Sequence, residues 1–179
     1  VVAAVRDACG DGLRIRVNYN QAYDAATAVR ALGLIEPFGI DAAEQPLPLG
    51  DLLGMSELQR RSPIPLFLHE GFFSLSDAVH LIESGGCRVM GINTERPGWL
   101  TGALRAIDYA AARGLGTIIH NQPLGIGTAA HLHLATARLD RLGHDVELAG
   151  DVMFDEHLIV DRFVAGDGTL AVPSGPGWG

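Results

Sequence analysis

Lysine is absent from this 179-residue chain, and all 13 basic side chains are arginine. Arginine stays protonated at any ordinary pH, so no lysine-type proton transfer can come from these residues. Cysteine is nearly absent. Cys9 and Cys87 stand far apart and form no CxxC pair. Both read as small buried apolar residues, and a reducing, cytoplasmic setting is the expectation. Positive charge is scarce: the net charge is -8 and the pI about 5.2. That argues against nucleic acid and against an anionic membrane surface as partners, because both need clustered basic groups. No apolar run reaches the length of a membrane-crossing helix. The chain is 47% hydrophobic and 19% charged, which argues against disorder. Its length allows one domain with a substantial core. The opening VVAAVRDACG lacks an initiator Met and reads as helix interior. The expectation is a piece of a longer protein, or one chain of a split one.

What is present is an alternation of strand and helix patterns. Short β-prone runs are LRIRV (13–17), GIDAAE (39–44), IPLFLH (64–69), RVMGIN (88–93), GTIIH (116–120) and DVEL (145–148). Helical patterns lie between them. QAYDAATAVRALG is expected to stop at Gly33 in a left-handed cap. SLSDAVHLIESGG opens with Ser74 and Asp77 at capping-box spacing. WLTGALRAIDYAAARG ends at Gly114, and GTAAHLHLATARLDRLG at Gly143. The strands close on Asn18, Glu44, His69, Asn93, His120 and Glu147, which recur every 24 to 27 residues. That interval is close to one βα unit of about 30 residues. Alternating elements of this kind build a parallel sheet with right-handed crossovers, and ligands meet such sheets at the carboxyl ends of the strands. Six strand ends that each carry a polar group read as one site. A closed (β/α)8 barrel needs eight strands and about 250 residues. Six strands are read here, so either the sheet is open or two strands lie outside the chain. The tail DGTLAVPSGPGWG reads as a covering loop after the last strand.

These strand ends resemble the barrel domain of the enolase superfamily, in its mandelate racemase and muconate lactonizing enzyme branch. RVNYNQAY resembles the family's Asp-x-Asn-Gln-Ala strand, AEQPLP (43–48) its Glu-Gln-Pro strand end and IPLFLHEG (64–71) its Asp-Glu strand end. NTERPGW (93–99) resembles its Lys- or Asp-bearing strand followed by Gly-Gly. VELAG (146–150) resembles the last, acid-bearing strand, and VPSGPGWG (172–179) the Pro-Gly-Leu-Gly signature near the barrel's end. The resemblance implies an α/β enolase-type barrel domain over residues 1–179, with about six of eight βα units present. It places the first strands and the N-terminal capping domain outside this chain.

It further implies abstraction of a proton α to a carboxylate, with three strand-end carboxylates holding Mg²⁺. The matching residues here are Asn18, Glu44 and His69, so one carboxylate remains. Asn can ligate through its carbonyl oxygen, and a neutral His suits Zn²⁺ or another borderline metal better than Mg²⁺. The implied cofactor is a divalent metal: Mg²⁺ by resemblance, with Zn²⁺, Mn²⁺ or no metal left open by the altered ligands. Asn20 matches the family pattern and is assigned to substrate binding. Asn93 stands where the family has Lys or Asp, and it cannot take a proton at neutral pH. His120 matches the His of racemases and acid-sugar dehydratases, and can give or take a proton near neutral pH. Its family partner is the Asp that Asn93 replaces, so its imidazolium is expected to be less stabilised. Glu147 matches the acid near the substrate carboxylate. Glu70 is expected to point away from His69 unless the backbone turns there. Trp99 also departs from the family pattern.

Other patterns carry less. LGIGTAA (124–130) imitates the dinucleotide fingerprint G-x-G-x-x-A, with Glu147 twenty residues after Gly127. The four residues Asn121, Gln122, Pro123 and Leu124 before the first Gly argue against the tight turn it needs. A glycine-rich loop before a helix is the plainer reading, with anion binding at that helix N-terminus as a residual role. His131 and His133, at i and i+2, face different sides of a helix and suit packing better than joint ligation. His80 reads as a helix surface residue, and DEHLIVDR (155–162), with His157, as solvated. Arg138, Asp140 and Arg141 read as an exposed helix face. Trp99 and Trp178 suit the mouth of a site or, as the commoner role, core packing or an interface.

Two functions stay open from these residues. One is an enolase-superfamily dehydratase, racemase or cycloisomerase acting on a small carboxylate, that is, a lyase or isomerase. The other is a non-catalytic enolase-fold subunit acting through a partner or ligand. A nucleotide-binding α/β protein using LGIGTAA is a third, more remote reading. The expected partners are a small carboxylate substrate and the chain or segment supplying the missing strands and cap, in a homo- or hetero-oligomer. Neither nucleic acid nor membrane is expected.

Overall fold

The structure is a computed structural model that describes residues 1–121 and 124–179, with only the backbone described for Asn121, Asp151 and Val152. The chain divides into two compact units. The first comprises Val1–Phe72 and Ser76–Met90, and the second Phe73–Leu75 and Gly91–Gly179. No described helix is long and apolar enough to cross a membrane.

In the first unit the strands are β1 (Ile15–Asn18), β2 (Ile40–Glu44), β3 (Leu66–Leu68) and the start of β4 (Val89–Ile92), each parallel to the next. Every residue of β3 and β4 is buried. That is why both read as continuous apolar runs, as strands covered on both faces do. The register aligns Asn18 with Glu44, and Glu44 with Phe67.

One helix precedes these strands and three α-helices connect them among the described residues. α1 (Val2–Cys9) confirms the helical reading of the opening residues, yet buries none of its own residues. Arg6 ties it down instead: its guanidinium donates to the carbonyls of Phe38, Gly10, Leu13 and Gly39. Cys9 is exposed, against the expectation of burial, at the end of a helix that fully buries no residue; Cys87 is buried as expected. α2 (Ala25–Ile35) starts at Asp24, whose carboxylate accepts from the Thr27 amide at 2.7 Å. It runs through Gly33 rather than stopping there. The left-handed residue is Gly39 (φ 61°), which closes a 3₁₀ turn over Glu36–Phe38. Pro37 within that turn cannot supply the amide another α-turn would need. α3 (Leu52–Arg61) was not legible as a helix; Asp51 caps it through the Gly54 amide. α4 (Leu75–Glu83) begins one residue after Ser74.

The second unit holds α5 (Trp99–Ala112), β5 (Gly116–Asn121), α6 (Gly125–Ala137), α7 (Leu139–Leu142), β6 (Glu147–Leu148) and α8 (Gly150–Met153). β5 and β6 pair in parallel, His120 opposite Glu147. The helix expected to run unbroken to Gly143 is interrupted at Arg138, whose guanidinium binds the Asp108 carboxylate on α5 at 2.8 and 3.2 Å. Gly102 is obligatory in α5. A β-carbon there would lie 1.5 Å from the Pro97 carbonyl oxygen.

Candidate functional site

In the first unit the polar strand ends are set by the parallel register. Asn18 and Glu44 are the last residues of β1 and β2, and His69 follows the last residue of β3. The Glu44 carboxylate lies 3.4 Å from His69 Nδ1, and both side chains are buried. Asn18 is exposed, and its Oδ1 accepts from the Asn20 amide at 2.9 Å. This Asx-type turn is one local reason for an Asn at a strand end.

Pairing continues past the strand. Tyr19 and Gln21 donate to the Glu44 and Gln45 carbonyls at 3.0 and 2.7 Å, and Gln45 donates to Phe67 at 3.0 Å. Asn20 (φ 46°), Gln21 (φ 63°) and Gln45 (φ 37°) all sit in the left-handed region. Non-glycine residues held there collect at functional sites. Gln21 then links three segments. Its amide nitrogen donates to the Glu70 carboxylate, and its oxygen accepts from the Leu49 amide at 3.0 Å. The chain turns after His69, so Glu70 meets Gln21. Gln21 was overlooked at the level of sequence, because neither positive φ nor a cross-loop bond leaves a periodic signal. The buried Gln59 was overlooked for the same reason. Its oxygen takes the Leu66 amide at 2.6 Å, which fixes the entry to the strand that carries His69.

In the second unit Asn93 follows β4 and is 2% exposed; its Oδ1 accepts from the Arg96 amide at 3.3 Å. His120 Nδ1 stands 3.3 Å from the Glu147 carboxylate. Its imidazole therefore has a carboxylate beside it despite Asn93, a partner the family pattern had placed near the substrate instead.

The start of α6 is covered. A β-carbon at Gly125 would lie 2.3 Å from the His157 carbonyl oxygen and close to Ile159. His157 is buried, not solvated, because its segment packs on that glycine. The part of the fingerprint argument that concerns Gln122 and Pro123 lies outside the described residues. His133 stacks near Trp178, which meets Trp99 edge to face at 6.4 Å; both tryptophans are partly exposed rather than core. Arg138 and Arg141 share Asp108 and so are more than a plain exposed face.

The family described as enolase C-terminal domain-like matches residues 1–179. The chain belongs to the enolase superfamily. It is 36% identical over 182 residues to an N-succinylamino acid racemase of Amycolatopsis, covering 99% of this chain and 48% of that protein. It is 31% identical over 182 residues to muconate cycloisomerase 1 of Pseudomonas putida, with the same coverage. The solved structure of muconate cycloisomerase from Pseudomonas fluorescens matches with a TM-score of 0.93 at 34% identity, over 99% of this chain and 49% of that one. The fold is thus the α/β enolase-type barrel, of which the described residues supply six strands. The chain spans about half the length of the curated relatives it matches.

Proposed function

We propose that residues 1–179 are the incomplete C-terminal barrel domain of an enolase-superfamily isomerase that removes the proton α to a carboxylate on a small acid. The relatives' names, racemase and cycloisomerase, favour isomerisation over dehydration. The observation that carries the reading is the His120–Glu147 pair at adjoining ends of β5 and β6. His120 would exchange the α-proton. Glu147, 3.3 Å from its Nδ1, would offset the imidazolium charge. Asn93 cannot titrate, so it would serve as a fixed polar contact. Asn20 would bind the substrate carboxylate through its amide.

The donor chemistry at the first unit's strand ends fits a divalent ion. Glu44 supplies a buried carboxylate oxygen and His69 an imidazole nitrogen 3.4 Å away, with the Asn18 amide oxygen as third candidate. One carboxylate and one imidazole suit Mn²⁺ or Zn²⁺ better than Mg²⁺. The charge of such an ion would offset the negative charge that develops on the substrate carboxylate as the α-proton leaves. The partner is a segment or chain that supplies the capping domain and the remaining strands, which fits coverage of about half of each relative. The two unpaired cysteines suit a reducing cytoplasm.

The test uses the whole protein with Mg²⁺, Mn²⁺ or Zn²⁺ and a panel of N-succinylamino acids and dipeptides in D₂O. Loss of the α-proton signal in NMR is the expected result, with His120→Asn slowing it by about 10² to 10⁴-fold. No exchange on any substrate, together with no bound divalent ion by elemental mass spectrometry, would sink the reading.

A further inference from the structure

His131 lies in the middle of α6 and is fully buried. Both ring nitrogens are engaged, each by main chain. Nδ1 is 2.7 Å from the Gly127 carbonyl oxygen, one turn earlier in the helix. A carbonyl only accepts, so Nδ1 carries the hydrogen. Nε2 is then an acceptor, and the Thr94 amide donates to it at 3.2 Å. Only the neutral Nδ1–H tautomer satisfies both bonds, and burial lowers the pKa of the ring in the same sense. The charged or titratable groups that act on it are Glu95, on the turn after β4, and His120, on β5.

Thr94 directly follows Asn93. The turn leaving β4 is therefore held within itself, through the Asn93 oxygen and the Arg96 amide, and to α6 through His131. The Thr94 hydroxyl is buried and has no hydrogen-bond partner among the described residues, so its amide, not its side chain, makes the anchor. Both nitrogens of a buried imidazole need partners, and here those partners are backbone groups on two segments, so the ring ties the turn after β4 to α6.

We propose that His131 is a positioning residue, which fixes the Asn93 turn by accepting the Thr94 amide. The proposal rests on the proton-abstraction reading above, in which Asn93 contacts the substrate; His131 itself touches none.

The first measurement needs no variant. In ¹⁵N-labelled whole protein, a through-hydrogen-bond coupling between the Thr94 amide nitrogen and His131 Nε2 is expected, and its absence overturns the proposal. The second compares His131→Leu with His131→Gln, whose side-chain oxygen can still accept the amide. In His131→Leu, kcat should fall about tenfold or more with KM within about threefold, and His131→Gln should recover most of the loss. Equal kcat in all three proteins overturns the role. If the unmodified protein exchanges no α-proton, the functional reading fails separately. Amide hydrogen exchange at Thr94 then decides: faster exchange confined to residues 93–96 in His131→Leu supports the anchor, and unchanged exchange overturns it.

Discussion

The two units each bring one imidazole and one carboxylate together at neighbouring strand ends, at 3.4 Å in Glu44–His69 and 3.3 Å in His120–Glu147. Their surroundings differ. The side chains of His69 and Glu44 are 8% and 6% exposed, whereas those of His120 and Glu147 are 14% and 43% exposed. A buried carboxylate charge is costly without a counter-charge close by. A solvated one keeps its charge at little cost and can communicate with water. On the reading proposed above, the Glu44–His69 pair would hold a cation and the His120–Glu147 pair would move a proton, and burial would separate the two roles.

The largest expected effect breaks that comparison directly. Glu44→Gln and Glu147→Gln each remove one charge and keep the shape. In the whole protein, Glu44→Gln should lose bound divalent ion and turnover together. Glu147→Gln should keep its ion and lose about 10 to 100-fold in kcat, the share of acid–base catalysis that an orienting carboxylate supports. Elemental mass spectrometry beside the deuterium-exchange rate reads both. If Glu147→Gln also loses the ion, the division of roles fails.

A smaller effect lies in pH. His131 is buried, and burial lowers its pKa from the usual value of 6.5. The unfolded chain then binds a proton that the folded chain does not over the interval between the two values. Stability therefore falls as pH drops from about 6.5 toward the folded value, by at most about 1.4 kcal/mol per pH unit, and levels off below it. Urea midpoints between about pH 5 and pH 8 check this, with His131→Gln as the flat reference. An equal slope in the variant would assign the dependence to another group.

Much of the frame was legible because it rests on period and spacing. All six strands stand where apolar runs predicted them, and the polar residues that close them occupy strand ends or adjoining positions. Apolar periodicity survives translation into structure because it is what burial selects. α3 escaped notice because LLGMSELQRR has few apolar residues and an internal Gly54, and its start depends on one capping bond from Asp51. Gly33 misled because a glycine reads as a stop, although tertiary packing carries α2 two residues past it. The site was half legible. Residue types at strand ends could be listed, but Glu147 lying beside His120 depends on the register of a two-residue strand. Gln21, Gln59 and His131 act through side-chain bonds to distant backbone, which no local pattern encodes.

The smallest expected effect tests how open the second unit's surface charges are. Asp108 receives Arg138 and Arg141, and the Arg138 guanidinium beside it holds its carboxyl below the usual carboxylate range. Its side chain is 39% exposed, so solvent screens most of that interaction. Asp108→Asn should cost no more than about 1 kcal/mol at low ionic strength, in the range of solvated ion pairs. The cost should fade toward zero near 1 M salt, where the screening length is about 3 Å. The stabilisation is present above the normal carboxylate pKa of about 3.9 and is lost as pH falls through the lower folded value. Chemical denaturation by urea at two salt concentrations separates the cases. A cost that survives high salt would mean that this cluster behaves like the buried Glu44 pair. Solvent exposure alone would then be a poor guide to which carboxylates in this protein keep their charge unaided.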